Sequence, residues 1–213
     1  MLNNQNIGLY NIVRRNILSD CYLWVADIGS SEESAICMFR KPMKNRRHWQ
    51  SVMARQLLVQ AVAELVGISA NLVQLIERKN NAPFIKFPGS SCHINASLSH
   101  SGKYVACVVS RSALVGLDIE VLKIRNNFSE IAELAFASGE YNWLTKQLAS
   151  DRAETFYKLW TRREAIFKLQ TNMPSVTNNI PDVLSDSCYE WFTELQKDRR
   201  LMISVCAFSQ VNR

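Results

Sequence analysis

Apolar residues follow two different spacings along this chain, and each spacing predicts a kind of secondary structure. Between Trp49 and Val66 they recur every three or four positions, which is typical of an amphipathic helix, and Gly67 follows as a cap. The stretch from Asp151 to Leu169 has the length and aromatic spacing of a long helix. Shorter helices are predicted from Ser129 to Phe136 and from Ser138 onward, because serine is a common helix cap.

Short runs rich in β-branched and aromatic residues predict the strands. The predicted strands and extended segments are 84–87, Tyr104–Ser110, Leu114–Val121, Tyr189–Leu195 and Leu201–Phe208. Turns are expected at 80–83, at 111–113 and at 197–200, where the last two strands form a hairpin. Helices and strands interleave without strict alternation, so the pattern favours an α+β fold over a doubly wound sheet, with two subdomains that meet near 110–114.

Composition restricts the class of protein without identifying it. The 213 residues, 47% hydrophobic and 21% charged, suit one large globular domain or two small ones. Charges interrupt every stretch long enough to span a membrane, and residues 1–15 lack a secretory signal pattern, so a cytoplasmic protein is expected. The six cysteines form no CxxC pair and only three histidines occur, which argues against a zinc site and favours reduced, mostly buried thiols.

The net charge of +6 is confined to the first half of the chain. Residues 1–110 hold 12 basic against 6 acidic residues, whereas residues 111–213 hold 13 of each. No acid occurs between Ser34 and Ala63, where six basic residues cluster: Arg40, Lys41, Lys44, Arg46, Arg47 and Arg55. Such a cluster favours a polyanionic partner, which can be nucleic acid, a phosphorylated cofactor or an acidic protein, and a solvated basic face is an equal alternative.

Two acids in the predicted strand 114–121 are candidate metal ligands. Side chains alternate along a strand, so Asp118 and Glu120 point to one face. Two carboxylates there repel each other unless a cation lies between them, and Mg²⁺ prefers such oxygen ligands. Gly116 permits close approach of another backbone or of a ligand. The spacing alone favours the alternative, an exposed strand face that holds two acids.

A third acid lies in the predicted long helix. Trp160, Glu164 and Lys168 are spaced four residues apart and therefore share one helix face. Glu164 is a candidate for the same metal site, with Lys168 near a phosphate. The alternative is a surface ion pair, although a tryptophan on that face argues against a fully solvated stripe.

The segment 98–102 reads LSHSG and is predicted to be a loop at the mouth of a strand. Small hydroxyl residues and glycine expose backbone N–H groups that suit an anion, and His100 is a candidate donor to a phosphate oxygen. A structural loop histidine is an equal alternative. A serine hydrolase is less well supported, because the chain has no G-x-S-x-G motif.

Taken together, these motifs resemble those of a known family. The segment 116–120 (GLDIE), followed about 40 residues later by 160–168 (WTRREAIFK), resembles the two-part signature of the 4'-phosphopantetheinyl transferase superfamily. The segments 95–105, 136–141 and 54–58 are similar to the Sfp-type, surfactin-synthetase-activating branch. The resemblance is dense from about Arg40 to Lys168 and thin toward both ends of the chain.

This resemblance implies a fold and a site. It implies two similar α+β subdomains, 1–112 and 113–213, related by a pseudo-twofold axis, with coenzyme A in the cleft between them. The residues that it assigns to Mg²⁺ are Asp118, Glu120 and Glu164. The residues that it assigns to the phosphates of coenzyme A are Arg40, Arg47, Arg55, Ser99, His100 and Lys168, with the three arginines as candidates for the 3'-phosphate. The catalytic set is Asp118, Glu164, Lys168 and His100.

The resemblance also implies a reaction. A serine of an apo acyl or peptidyl carrier protein attacks the β-phosphate of coenzyme A, receives phosphopantetheine and releases 3',5'-ADP. Glu164 takes the serine proton directly or through water. Catalysis of this kind depends mainly on positioning and charge neutralisation. A magnesium-dependent, cytoplasmic, monomeric transferase is expected, and its carrier can belong to fatty acid, polyketide or nonribosomal peptide synthesis.

Two departures from the family pattern keep alternatives open. Where the family usually has Gly-Lys-Pro, this chain reads Asn81-Ala82-Pro83, so one expected phosphate contact is missing or is supplied by Lys79 or Lys86. Arg163 stands where lysine is most common, and it keeps the charge but not the geometry. The alternatives are a weakened module that binds coenzyme A or a carrier and, with less support, a basic nucleic-acid-binding protein.

Overall fold

The computed structural model describes residues 10–29, 45–78, 81–89, 93–123, 127–173, 180–184 and 188–209. The strands in these ranges are β1 Tyr10–Leu18, β2 Cys21–Asp27, β3 Gln74–Arg78, β4 Asn81–Lys86, β5 Asn95–Ser101, β6 Tyr104–Ser110, β7 Ala113–Val121, β8 Glu190–Gln196 and β9 Leu201–Ser209. The α-helices are α1 Arg46–Val66, α2 Phe128–Ala135, α3 Ser138–Thr145 and α4 Arg152–Gln170, and a 3-10 turn, Ala70–Leu72, precedes β3.

The strands form two principal antiparallel sheets and one smaller pair. The first sheet has the order β1-β2-β6-β5, the second has the order β7-β9-β8, and β3 pairs with β4. β5 and β7 are therefore edge strands, one in each principal sheet. The turn at 111–112 joins β6 to β7, so the chain passes from one sheet to the other at this point.

The principal sheets pack face to face between two layers of helices. Leu23 and Val108 of the first sheet meet Leu117 and Ile203 of the second in one apolar core. The opposite face of the first sheet is covered by α1, whose buried side chains include Leu57. The outer face of the second sheet is covered mainly by α4. The predicted α+β class is confirmed, while the division at 112/113, which falls in the β6–β7 turn, stays a prediction.

Several predicted elements agree closely with the structure. The helix α1 begins three residues before the predicted start, because the Asn45 side chain accepts a hydrogen bond from the His48 N–H at 2.9 Å. It ends at Gly67, which adopts the left-handed backbone conformation, with φ of 77°. Strand β6 has the predicted bounds, and α4 and the β8–β9 hairpin lie within a few residues of theirs.

Two predicted non-regular segments are wrong. Ser99, His100 and Ser101 do not form a loop, since they end strand β5, which pairs with β6 along its whole length. The turn comes one residue later, at Gly102, where φ is 60°. Likewise Asn81 to Pro83 begin β4 instead of making a turn. In β5 serines occupy strand positions that propensity disfavours, because their hydroxyls bond a neighbouring strand, and in β4 Asn81 and Pro83 do so in a strand that pairs with β3.

Two expectations from composition are tested by the described residues. Within those ranges no helix has the length and apolar character needed to cross a membrane. Cys21, Cys107 and Cys206 are free thiols and buried, whereas Cys188 is exposed. Burial raises the pKa of the Cys21 thiol to about 11, so this thiol is protonated at neutral pH. Cys37 and Cys92 lie outside the described residues.

Candidate active site

The two edge strands β5 and β7 are joined by serine side chains. The hydroxyls of Ser97, Ser99 and Ser101 accept hydrogen bonds from alternate backbone N–H groups of β7, at 3.1, 3.2 and 3.1 Å. We call these three residues the serine ladder. The β7 donors are the N–H groups of Leu117, Ile119 and Val121. The ladder therefore fixes β7 against β5 without a backbone–backbone pairing.

The serine ladder also holds the two candidate carboxylates. Ser99 Oγ donates to Asp118 Oδ1 at 2.8 Å, and Ser101 Oγ donates to Glu120 Oε2 at 2.6 Å. Asp118 is only 6% exposed, while its neighbour Leu117 is fully buried in the core between the sheets. The structure thus bears out the expected alternation, with Asp118 and Glu120 on one face of β7.

Gly116 brings helix α4 directly onto β7. A Cβ atom at this position would collide with the backbone carbonyl of Ala165 and crowd the side chain of Leu169. The close approach that Gly116 permits is therefore the approach of the α4 backbone. Because of it, Lys168 reaches β7 and its Nζ donates to Asp118 Oδ1 at 2.7 Å, to the Leu117 carbonyl at 3.0 Å and to Ser99 Oγ at 3.1 Å.

Glu164 lies one helical turn before Lys168 and is half-buried. Burial raises the pKa of its carboxyl group, and the charge of Asp118 raises it further, while Lys168 acts in the opposite direction. The charge of Glu120 also contributes to the increase. Glu164 therefore faces the same group of charges, and we call Asp118, Glu120, Glu164 and Lys168 the carboxylate cluster.

The carboxylate cluster matches a magnesium ion in its donor chemistry. Asp118 Oδ2 is buried and has no hydrogen-bond partner among the described residues, an arrangement that is costly unless a cation satisfies it. Carboxylate oxygens are the ligands that Mg²⁺ prefers. Within the described ranges, however, no three His, Cys, Asp or Glu side chains converge closely enough to hold a metal, and Lys168 occupies Asp118 Oδ1. The donors fit, and the three carboxylates would have to draw together around the ion.

A basic cavity of about 320 Å³ adjoins the cluster. It lies between α1, β4, β5 and the end of α4, and its basic lining residues are Arg55, Arg78, His100 and Lys168. Lys168 thus belongs both to the basic cavity and to the carboxylate cluster. The structure brings three of the predicted phosphate-binding residues, Arg55, His100 and Lys168, into one cavity.

The other predicted phosphate-binding residues lie elsewhere. Ser99 faces β7 and serves the serine ladder, on the side of β5 opposite His100. Arg47 lies in α1, close enough for its charge to act on His100. Arg40 lies outside the described residues.

His100 is the titratable group of the basic cavity. Burial lowers its pKa, and the positive charges of Lys168 and Arg47 lower it further, against a smaller opposing effect of Asp118. The imidazole is therefore neutral at pH 7. A neutral imidazole still donates one N–H to a phosphate oxygen, so this shift is compatible with the predicted role.

Arg55 is committed to an ion pair in this structure. Its Nε and Nη2 donate to the two carboxylate oxygens of Glu77 at 2.5 and 2.8 Å, and its Nη1 donates to the Ser51 carbonyl at 3.1 Å. The guanidinium group lines the basic cavity, but its donors are largely occupied.

Arg78 is a cavity residue that the sequence interpretation missed. Its Nε donates to the Ala82 carbonyl at 2.8 Å, and its Nη2 donates to Asn172 Oδ1 at 3.0 Å. Of the two lysines considered as substitutes for the missing family lysine, Lys79 lies outside the described residues. Lys86 is exposed at the end of β4 and does not line the cavity. The sequence did contain a signal for Arg78, because it is a basic residue only four positions before Ala82.

Arg163 has a structural role in this chain. Its Nη1 pairs at 2.9 Å with the carboxylate of Glu140, which is fully buried. The same carboxylate accepts hydrogen bonds from the N–H groups of Ala137 at 2.8 Å and Val183 at 2.9 Å. Arg163 therefore secures α3 and residues 180–184 to α4, so arginine at this position has a defined buried partner.

Comparisons with known proteins point to one family. A family model described as the 4'-phosphopantetheinyl transferase superfamily matches residues 114–202. The chain is similar to the 4'-phosphopantetheinyl transferase AcpT of Salmonella typhimurium, with 35% identity over 43% of this chain and 50% of that protein. It is also similar to a putative 4'-phosphopantetheinyl transferase of Haemophilus influenzae, with 31% identity over 70% of this chain and 66% of that protein.

A third similarity is to the 4'-phosphopantetheinyl transferase gsp of Aneurinibacillus migulanus, with 28% identity over 56% of this chain and 47% of that protein. The match thus spans about half the length of the AcpT and gsp relatives. The matched family segment covers β7 from its second residue and all of α4, the two elements that carry the carboxylate cluster.

Proposed function

This chain belongs to the 4'-phosphopantetheinyl transferase superfamily, and from this premise we propose that it transfers phosphopantetheine from coenzyme A to a serine of an apo carrier protein. The superfamily predicted from the motifs is confirmed, and the similarity to gsp agrees with the predicted Sfp-type branch. The enzyme's activity, its magnesium dependence and its partners are parts of the proposal.

The observation that carries the proposal is the position of Lys168. This side chain lines the basic cavity and at the same time bonds Asp118 in the carboxylate cluster. A pyrophosphate bound where the two meet would have cations on one side and metal-binding carboxylates on the other. Such an arrangement suits phosphoryl transfer, which requires charge neutralisation and alignment more than covalent chemistry.

Asp118, Glu120 and Glu164 would hold Mg²⁺, which supplies Lewis-acid polarisation of the pyrophosphate when bound. Lys168 neutralises negative charge on the pyrophosphate oxygens, and His100 donates an N–H to a neighbouring oxygen. The serine ladder keeps Asp118 and Glu120 in position while charge redistributes. These contributions are electrostatic, and the metal part of them requires the three carboxylates to draw together around the ion.

Glu164 is the proposed base. Its carboxyl group lies close enough to Asp118 for the two charges to act on each other, which places it beside the proposed pyrophosphate site and in a position to accept the serine proton. In the reaction the serine oxygen bonds to the β-phosphorus and the bond from that phosphorus to 3',5'-ADP breaks. The serine proton passes to Glu164, directly or through one water.

The proposal extends to partners and state. The carrier is an acyl or peptidyl carrier protein of fatty acid, polyketide or nonribosomal peptide synthesis. The enzyme acts as a monomer, since one chain supplies every residue of the proposed site, and it acts in the cytoplasm. Nucleic acid is not a partner, because duplex binding leaves the three carboxylates of the cluster without a role.

The test is a mass measurement on the carrier. The protein is incubated with coenzyme A, Mg²⁺ and an apo acyl carrier protein, and the carrier is expected to gain one phosphopantetheine group. Asp118→Asn and Glu164→Gln are each expected to slow the modification at least roughly 100-fold. Glu154→Gln, an exposed glutamate in the first turn of α4, is the matched control and retains the wild-type rate.

The other outcomes contradict the proposal in different ways. An unmodified carrier together with tight binding of coenzyme A would favour a binding module. Salt-dependent binding to duplex DNA without carrier modification would favour the nucleic-acid alternative. A wild-type rate in either cluster variant would refute the assignment of the carboxylate cluster.

A further inference from the structure

We propose that Arg78 recognises the 3'-phosphate of coenzyme A and replaces the cation that the segment Asn81-Ala82-Pro83 lacks. This inference rests on the proposed function, because it takes coenzyme A to be the ligand of the basic cavity. Arg78 lies on β3, whereas the segment Asn81-Ala82-Pro83 begins β4. The supporting observations are the orientation of Arg78, the state of the neighbouring cations and the connection to Lys168.

The guanidinium group of Arg78 is fixed at two points. One contact is to the Ala82 carbonyl on β4, and the other is to the Asn172 side chain, two residues beyond the end of α4. Arginine carries five N–H donors, and these two contacts use two of them. The remaining donors belong to a planar group whose orientation is already set, which lowers the entropic cost of binding a ligand.

The other cations of the cavity have carboxylate partners. Lys168 pairs with Asp118 at 2.7 Å, and Arg55 is held at both oxygens of Glu77. Among the described residues no carboxylate lies within ion-pair distance of Arg78, which is exposed at the cavity wall. Arg78 is therefore the arginine of the cavity best able to accept an incoming anion without losing an existing partner.

The neighbourhood of Arg78 indicates which phosphate it meets. Asn172 donates from Nδ2 to the Lys168 carbonyl at 3.0 Å and accepts from Arg78 Nη2 at 3.0 Å, so one side chain connects Arg78 to Lys168 on the wall of the same cavity. If the pyrophosphate lies at Lys168, a group one ribose away lies near Arg78. In coenzyme A that group is the 3'-phosphate, and the arginine fork matches a phosphate in bidentate geometry.

The position of residue 82 explains the substitution. Ala82 lines the same cavity, yet it contributes only its carbonyl oxygen, which accepts the Arg78 Nε–H. The guanidinium group of Arg78, which extends from β3 to the Ala82 carbonyl, therefore lies beside residue 82. The chain thus supplies positive charge to this wall of the cavity from a neighbouring strand.

The test compares coenzyme A with dephospho-coenzyme A, which lacks only the 3'-phosphate, by calorimetric binding without any carrier. For Arg78→Gln the affinity for coenzyme A is expected to fall roughly 10- to 100-fold, as for loss of a charged hydrogen bond, while that for dephospho-coenzyme A changes less than about twofold. Arg111→Gln removes an exposed arginine with a single side-chain contact, to the Leu65 carbonyl at 2.8 Å, and is the matched control. It is expected to leave both affinities unchanged.

A rescue variant strengthens the test. Adding Ala82→Lys to Arg78→Gln restores a cation beside the same cavity wall, and the preference for coenzyme A over dephospho-coenzyme A is expected to return. An equal loss of affinity for both ligands in Arg78→Gln would overturn the inference, since the effect would then not depend on the 3'-phosphate. The inference would also be overturned if Arg78→Gln kept the wild-type preference for coenzyme A over dephospho-coenzyme A and Ala82→Lys had no effect on it.

A structure of the wild-type protein with coenzyme A bound gives a reading that needs no variant. The Arg78 guanidinium is expected within hydrogen-bond distance of the 3'-phosphate, and a 3'-phosphate bound elsewhere would overturn the inference. These outcomes are separate from the proposed function. If the preference for coenzyme A depends on Arg78 but the carrier is not modified, the role of Arg78 is supported and the transferase activity is refuted. If the carrier is modified but the preference does not depend on Arg78, the transferase activity is supported and the role of Arg78 is refuted.

Discussion

The carboxylate cluster and the basic cavity share Lys168, but they are built differently. In the cluster, Asp118 is almost fully buried, and its Oδ1 is held by both Ser99 and Lys168. In the cavity, Arg55 is paired with Glu77 at the surface, and Arg78 is exposed and keeps donors for a ligand. The cluster carries three acids against one lysine, whereas cations predominate in the cavity.

This difference shows how the two parts depend on their surroundings. The cluster is held by regular elements, because the backbone of α4 approaches that of β7 closely and the serine ladder joins β7 to β5. Charges so confined repel one another, and the raised pKa of Glu164 reflects burial first and that repulsion second. The cavity is held by long side chains in more exposed positions. A change in the cluster should therefore affect folding and chemistry together, whereas a change in the cavity should affect binding alone.

The largest effect on stability is expected from Gly116→Ala. The added methyl group would collide with the Ala165 carbonyl, so α4 must shift and the free energy of unfolding should fall by about 2–3 kcal/mol, measured by urea denaturation. Carrier modification should be lost as well, because Glu164 and Lys168 move with α4. In Gly139→Ala the methyl group meets only the end of the Asp182 side chain, so this control should change stability by less than about 1 kcal/mol.

A smaller effect is expected when the two ion pairs are broken in turn. Lys168→Met leaves Asp118 buried without its cation, which should lower the free energy of unfolding by roughly 1–3 kcal/mol. Arg55→Met breaks the exposed pair with Glu77 and should change it by less than about 1 kcal/mol. Chemical denaturation of both variants gives the comparison, and equal losses would contradict the distinction between cluster and cavity.

The serine ladder provides the third prediction. Ser99→Ala removes the acceptor for the buried Ile119 N–H and a donor to Asp118, so the free energy of unfolding should fall by about 1 kcal/mol. Thermal unfolding measures this loss, and exposed Ser150→Ala, which removes a bond to Asp151, is the control. A Ser99→Ala variant as stable as the control would show that the ladder contributes no net stability.

The smallest expected effect is a pH dependence that His100 imposes without ligand. Since its pKa is lowered on folding, the unfolded chain binds this proton more readily, and stability is lost as the pH falls below the usual value of about 6.5. Denaturation between pH 7.5 and 5.5 should therefore show a steeper loss for the wild type than for His100→Gln. His48→Gln, at the exposed start of α1, should follow the wild type, and parallel profiles for His100→Gln and wild type would contradict the assignment.

The carboxylate cluster was predictable because regular periods determine its geometry. A spacing of two residues on a strand and of four on a helix places Asp118, Glu120, Glu164 and Lys168 on defined faces. The strong apolar patterns of α1, α4, β6 and the β8–β9 hairpin made those elements predictable within a few residues. Only the contact between β7 and α4 required the structure, and Gly116 already indicated a close approach there.

The basic cavity was less predictable because long-range contacts determine it. Nothing local indicates that Arg78 bonds Asn172, which is 94 positions away in the chain, or that Arg55 pairs with Glu77. Strand β5 was missed because small hydroxyl residues ordinarily favour turns, whereas here their hydroxyls bond a neighbouring strand. Strand β1 was missed because polar residues such as Arg14, Arg15 and Asn16 run consecutively through it. The apolar centre of β2 was a signal that the sequence interpretation did not use.

The serine ladder has a consequence for strand register. A slip of β5 by one residue along β6 would present Leu98 and His100 to β7 and leave three of its N–H groups without acceptors. It would also turn an aliphatic side chain toward the carboxylates, so both effects would make the misaligned form less stable. The unpaired edge of β7 would then be free to recruit a strand from another molecule. The alternation of serine along β5 thus encodes the correct alignment of the two sheets and guards an edge that would otherwise favour aggregation.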